Sequence, residues 1–153
     1  KGHNRLALNL YSSLVDKVDA SGCEINTSDV KVFVKEGNAY RYPDVIVSCD
    51  ERDKREPGFY QFPQLIVEVL SSRTKETDRF EKYKEYTQLP SLQEYLLISS
   101  DCTQIECFRR GEGRIWLYFQ YGASDVISVE SLGIDVPVDL IYENVKIETN
   151  NKI

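Results

Sequence analysis

The sequence predicts a mixed α/β or α+β domain in which a β-sheet packs against helices. Three observations lead there: the chain opens on an apolar recurrence of helical spacing, several short apolar or alternating runs follow, and a second helical pattern interrupts them. At 153 residues the chain holds one domain with a sizeable core, spanning 1–153. A chain opening at Lys1 is compatible with residues before it. No internal repeat or interdomain linker interrupts it.

In "NRLALNLYSSLVDKVDASG", Leu6, Leu10, Leu14 and Val18 would line one face of a helix, with Gly22 beyond its end as the stop. "CEIN" and "VKVFVKEG" read as short strands joined by a turn around Ser28 and Asp29. In the second, Val30, Val32 and Val34 share a face and Lys31, Phe33 and Lys35 take the other. "YRYPDVIVS" reads as a third strand with Pro43 at its beginning. The charged stretch from Asp50 to Pro63 reads as a flexible loop. "QLIVEVL", the most apolar strand, is expected at the centre of the sheet. "KETDRFEKYKEYTQ" reads as a helix that Leu89-Pro90 ends. "EYLLIS", "QIECFRR" and "RIWLYFQYG" are strands, the last two forming a hairpin through "GEG". The tail suggests a last short strand and a short helix starting near Pro137 or Asp139.

A net charge of -6 works against non-specific attraction to nucleic acid and against a plain DNA-binding module. It leaves room for a nucleic-acid enzyme whose cleft reverses the sign with a metal ion. Cys23, Cys49, Cys102 and Cys107 form no CxxC pair, and His3 is the one histidine, so a structural zinc site is not expected. Buried free thiols are the expectation for all four. No run is apolar enough to span a bilayer, and a cytoplasmic location is the default.

Strand parity singles out two acids. In "QLIVEVL", Leu65, Val67 and Val69 point one way and Ile66, Glu68 and Leu70 the other; in "YPDVIVS", Asp44 shares a side with Tyr42 and Ile46. An ionised carboxylate in a dry interior costs several kcal/mol or more, so water, a basic partner or a cation must offset it. If Asp44 and Glu68 lie on adjacent strands, they can share a magnesium ion, which takes hard oxygen ligands, with the Val69 carbonyl as another ligand. On the helix, Thr74, Asp78, Lys82 and Tyr86 lie four apart and rise along one face. Asp78 and Lys82 have the spacing of an ion pair worth roughly 0.2–0.5 kcal/mol.

The series "YPDVIV", "LIVEVLSSRTKETDRFEKYKEY" and "EYLLI" resembles the Uma2 family, a group of bacterial endonuclease-like proteins widespread in cyanobacteria. The resemblance covers nearly the whole chain. It implies the restriction-endonuclease-like PD-(D/E)xK fold, a mixed β-sheet flanked by helices, and a Mg2+-dependent endonuclease acting on DNA, with Mn2+ as a substitute. It assigns the metal to Asp44 and Glu68. The position that completes E-x-K holds Leu70, which can neither orient water nor neutralise phosphate; Lys82 on the helix is the replacement that the resemblance offers. Ser71, Ser72 and Thr74 would tune the acids or contact phosphate, and Asp78 would position Lys82. Tyr86 reads as a packing residue with a wet hydroxyl, supporting the site.

A second class of function, a catalytically inactive nucleic-acid- or protein-interaction domain on the same scaffold, draws on Leu70 and the net acidity. A third is a self-associating protein with a tyrosine-rich surface; a homodimer would also suit cutting of both DNA strands. His3 reads as a helix-start residue or one at the cleft mouth. Arg109, Arg110 and Arg114 near the hairpin turn would contact phosphate or simply be solvated. Lys31, Lys35, Arg41, Arg52, Lys54, Arg55, Arg73 and Lys75 form a basic rim only if folding gathers them.

Overall fold

Leu6, Leu10, Leu14 and Val18 are completely buried on one side of α1 (Gly2–Ala20), and each such side chain contributes roughly 1.5–3 kcal/mol of burial. Gly22 adopts a positive φ of 79°, and the chain turns there into β1. The computed structural model describes residues 1–34, 38–71, 74 and 76–147; Lys35, Ser72, Arg73 and Lys75 lie outside the described residues.

After α1 come β1 (Glu24–Thr27), β2 (Lys31–Val34), β3 (Ala39–Arg41), β4 (Val45–Ser48), α2 (Glu51–Arg55), β5 (Phe59–Tyr60) and β6 (Leu65–Leu70). Then follow α3 (Glu76–Thr87), β7 (Glu94–Ser99), β8 (Gln104–Arg110), β9 (Trp116–Gly122), β10 (Val126–Val129), β11 (Ile134–Pro137) and α4 (Val138–Ile141). A six-stranded sheet runs β1-β4-β6-β7-β8-β9, with β6 and β7 parallel and the other neighbours antiparallel. Two smaller sheets, β3-β2-β5 and β10-β11, complete the mixed α/β fold.

Strand alternation divides the core. Val45, Val47, Leu65, Val67 and Val69 join the α1 side, while Ile46, Ile66, Tyr95 and Leu97 face α3 and the β3-β2-β5 sheet. β6 is an interior strand, as its apolar run predicts. Val32 and Val34 are buried together, as their shared parity requires.

The expected third strand is two. Pro43 lacks an N–H and separates β3, in the small sheet, from β4, in the large one. The stretch 50–63 is not a plain loop: Asp50 caps α2 by accepting from the Arg52 amide, and β5 pairs in parallel with β2. Asp53, buried, accepts from the Ser48 hydroxyl and from the amides of Gln61 and Phe62, which pins this segment to the end of β4. The tail holds a β10-β11 hairpin rather than one strand, with α4 starting after Pro137.

The cysteines also depart from expectation. The β1-β4 register pairs Glu24 with Ser48, so the next residues out, Cys23 and Cys49, oppose one another with Cα atoms 4.3 Å apart and form a disulfide. Cys102 is an exposed free thiol and Cys107 a buried one.

Candidate active site

The antiparallel register of β4 and β6 pairs Val45 with Val67, and one step further it sets Asp44 against Glu68. Asp44 Oδ2 accepts the main-chain N–H of Val69 at 2.7 Å. Its Oδ1 lies 2.8 Å from His3 Nε2 at the start of α1; a carboxylate oxygen only accepts, so that nitrogen carries the hydrogen. Glu68 is 5% exposed. Lys82 Nζ donates to its Oε2 at 3.1 Å, and the buried Tyr86 hydroxyl donates to its Oε1 at 3.0 Å.

Burial pushes the Glu68 carboxyl above the usual carboxylate range; the Lys82 ammonium opposes this and the Asp44 charge adds to it. The two acids therefore sense each other across the β4-β6 seam. Burial and the charge of Glu68 raise the Tyr86 phenol far above its ordinary value, so it stays a donor.

α3 rests on this site largely through charge. Tyr86 is its one buried side chain. Lys82 reaches Glu68, Arg79 pairs with Glu106, and Glu85 receives Arg41 of β3 through two bonds of 2.7 and 2.8 Å. Glu68 pairs with Leu97 and Leu97 with Glu106, so both acids stand on one row of the sheet beneath Arg79 and Lys82, three residues apart on the helix.

A cleft of about 570 Å³ opens between α3 and β3, lined by Arg41, Ser71, Thr74, Asp78, Glu81, Lys82 and Glu85. Among the described lining residues Lys82 and Arg41 face Glu68 and Glu85, and Asp78 and Glu81 add two more acids.

Ser71 is half-buried at the end of β6, its amide directed at the Thr74 hydroxyl at 3.3 Å. Asp78 lies in the cleft wall, and Lys82 contacts Glu68 in place of the expected (i, i+4) partner. The Tyr86 hydroxyl is on Glu68 and buried, not wet. His3, which the sequence leaves between a helix start and the cleft mouth, joins Asp44 across 41 positions of sequence, a partner that strand and helix pattern does not give. Only the location of α1's N-terminus reveals it. Arg109 is buried against Glu94 and the Ser128 carbonyl, and Arg110 donates to the carbonyls of Leu89 and Leu92; both are structural.

Among the described residues no three His, Cys, Asp or Glu side chains form a group able to hold a metal ion. Asp44 and Glu68 provide two hard carboxylates, each with lone pairs left after the bonds above. In extended backbone the C=O of Val69 points to the same strand side as its N–H, toward Asp44. Two carboxylates and a carbonyl suit magnesium, which keeps several waters of its own.

Residues 1–139 match the sequence profile of the Uma2 family, described as "Putative restriction endonuclease". The uncharacterized protein slr1290 of Synechocystis sp. is 37% identical over 142 residues, covering 93% of this chain and 75% of that protein. A second Synechocystis protein, sll1609, is 36% identical over 118 residues, covering 75% of this chain and 66% of its own length. The fold matches a crystal structure from Anabaena variabilis titled "a putative nuclease belonging to DUF820", with TM-score 0.76, 15% identity, and coverage of 93% of this chain and 80% of that one. At that identity the match shows the restriction-endonuclease-like architecture alone. With the profile match spanning nearly all of it, the chain belongs to the Uma2 family.

Proposed function

We propose that this protein is a Mg2+-dependent endonuclease that hydrolyses DNA phosphodiester bonds, with Mn2+ able to substitute. The observation that carries the reading is the 3.1 Å contact between Lys82 and Glu68. It supplies, from a helix, the lysine that Leu70 does not supply from the strand.

Asp44, Glu68 and the Val69 carbonyl would hold the ion. When bound, the ion polarises the scissile phosphate and makes a coordinated water more acidic. His3 and the Val69 amide fix Asp44, and Tyr86 fixes Glu68, so neither carboxylate must reorient during the reaction. The Lys82 ammonium, anchored on Glu68, aligns the attacking water and steadies negative charge on the phosphate. An ammonium that already donates to Glu68 has no lone pair to take a proton, so alignment rather than proton removal is its role. Water oxygen bonds to phosphorus and gives up one proton to solvent as the bond to the leaving sugar oxygen breaks, and that oxygen takes a proton from solvent.

The test is cleavage of supercoiled plasmid and of single-stranded DNA with Mg2+ or Mn2+, comparing the native chain with Glu68→Gln. Ion-dependent cutting that Glu68→Gln removes supports the reading, and cutting that survives it overturns the assignment. A chain that folds, binds no divalent ion and cuts nothing is the inactive interaction domain instead. Each of the four carboxylate oxygens of Asp44 and Glu68 already accepts one protein donor, which favours that second reading.

A further inference from the structure

We propose that β9 is the seam of a homodimer, pairing antiparallel with β9 of a second copy across a two-fold axis. The strand is the outer edge of the six-stranded sheet, and among the described residues it carries none of the features that normally protect an edge. Trp116–Gly122 contains no charged residue and no proline, and its seven positions pair with β8 without a break in register. Leu117 and Tyr118 are 46% and 51% exposed, and Ile115 just before them 59%. The opposite edge, β1, shows the contrast. It is four residues long, and Glu24 and Asn26 are tied to the Tyr60 hydroxyl of the small sheet.

The ladder phase says which groups of β9 are free to pair. Gly111 N–H donates to the Ile115 carbonyl at 2.7 Å, while Arg110 N–H turns the other way to Gln93. Leu117, Phe119 and Tyr121 then bond to β8, and Trp116, Tyr118 and Gln120 direct N–H and C=O outward. Gly122, in the outward set, gives its N–H to Asp125 at 2.7 Å.

The edge is complementary to itself, which selects a second copy over an unrelated strand. A two-fold axis at Phe119 sets Phe119 against Phe119 of the partner copy and Leu117 against Tyr121 on one face. On the other it sets Tyr118 against Gln120 and Trp116 over Gly122, an aromatic ring covering an edge glycine. Tyr118 and Gln120 would exchange about four main-chain bonds across the axis. Arg114, before the strand, comes to the end where the other copy holds Asp125 after it, so opposite charges meet at both ends. The joined sheet of about twelve strands stays within the range of α/β proteins.

Sedimentation velocity on the chain at about 10–100 μM tests this, with a readout of mass that does not depend on cleavage or on metal. The expected result is twice 17.7 kDa for the native chain. Gln120→Pro, which removes an outward N–H without touching the β8 ladder, and Leu117→Lys, which charges the seam, should both give monomer. Near-UV circular dichroism checks that each variant is folded, and Leu117→Lys decides if the proline variant is not. In hydrogen exchange the Tyr118 and Gln120 amides should be protected at the high concentration and lose that protection in Leu117→Lys. A native chain that is monomeric throughout this range, or a dimer that folded variants leave intact, overturns the proposal. A strand of another protein as occupant would give the first of those outcomes.

Discussion

Lys82 of α3 and Glu68 of β6 meet at 3.1 Å, a contact that joins a helix to a strand fourteen positions earlier in the chain. The lysine's partner is the buried acid on the sheet, not Asp78 one turn before it on the same helix. An acid only 5% exposed has little solvent to compensate it, so a cation placed there does more than one paired with an exposed acid.

Changing Lys82 to Ala is expected to lower ion-dependent DNA cleavage by about 10²–10³-fold, the scale for losing one charge-stabilising donor. Adding Leu70→Lys to that variant should recover part of the loss. Leu70 shares the Glu68 face of β6, so a lysine there restores the strand-borne arrangement. Rates from a plasmid-nicking time course measure both, and a double variant no better than Lys82→Ala would remove the idea that the helix lysine stands in for the strand one.

Glu68→Gln and Asp44→Asn should each abolish Mn2+ binding in isothermal titration while leaving the fold intact. Glu68→Gln keeps an acceptor for the Tyr86 hydroxyl, so its melting temperature should change little or rise, because a buried carboxylate whose pKa is raised by burial is removed. A metal affinity unchanged in both variants would place the ion elsewhere.

The charge-held seat of α3 predicts a salt effect. At about 1 M salt the screening length falls to about 3 Å, against about 10 Å at 0.1 M. Amides of Glu76–Thr87 should then exchange with solvent faster at high salt, while those of β6 and β7, buried in apolar surroundings, keep their protection. Arg41→Ala, which frees Glu85, should reproduce the effect at low salt.

Thiol titration checks the cysteine assignment. The folded, unreduced chain should react at Cys102 alone, since burial pushes the Cys107 thiol up to about 12 and keeps it protonated. Unfolding without reductant should expose Cys107 as well, and reduction should add Cys23 and Cys49. Replacing both of those by serine should destabilise the fold by on the order of 3 kcal/mol, the chain-entropy value for a loop of this length.

Much of this architecture can be read from local pattern. Leu6, Leu10, Leu14 and Val18 announce α1 because a helix repeats about every four residues, and strand parity places Glu68 and Asp44 on the α3 face of their strands. What pattern missed depends on partners far along the chain. The stretch 50–63 gains its structure from Asp53 meeting Ser48, Gln61 and Phe62. The division at Pro43 follows from which sheet each half joins, and the Cys23–Cys49 bond from the β1-β4 register. His3 beside Asp44 is of the same kind: each residue looks ordinary until the helix start is set against the strand start.

The bond between Cys23 and Cys49 encloses the chain from the end of α1 to the end of β4, and Asp44 lies within that ring. A protease that nicks the backbone anywhere inside it makes two fragments that remain covalently one molecule. His3 and Asp44 would stay tethered through such a break, and only a reducing agent would let them separate.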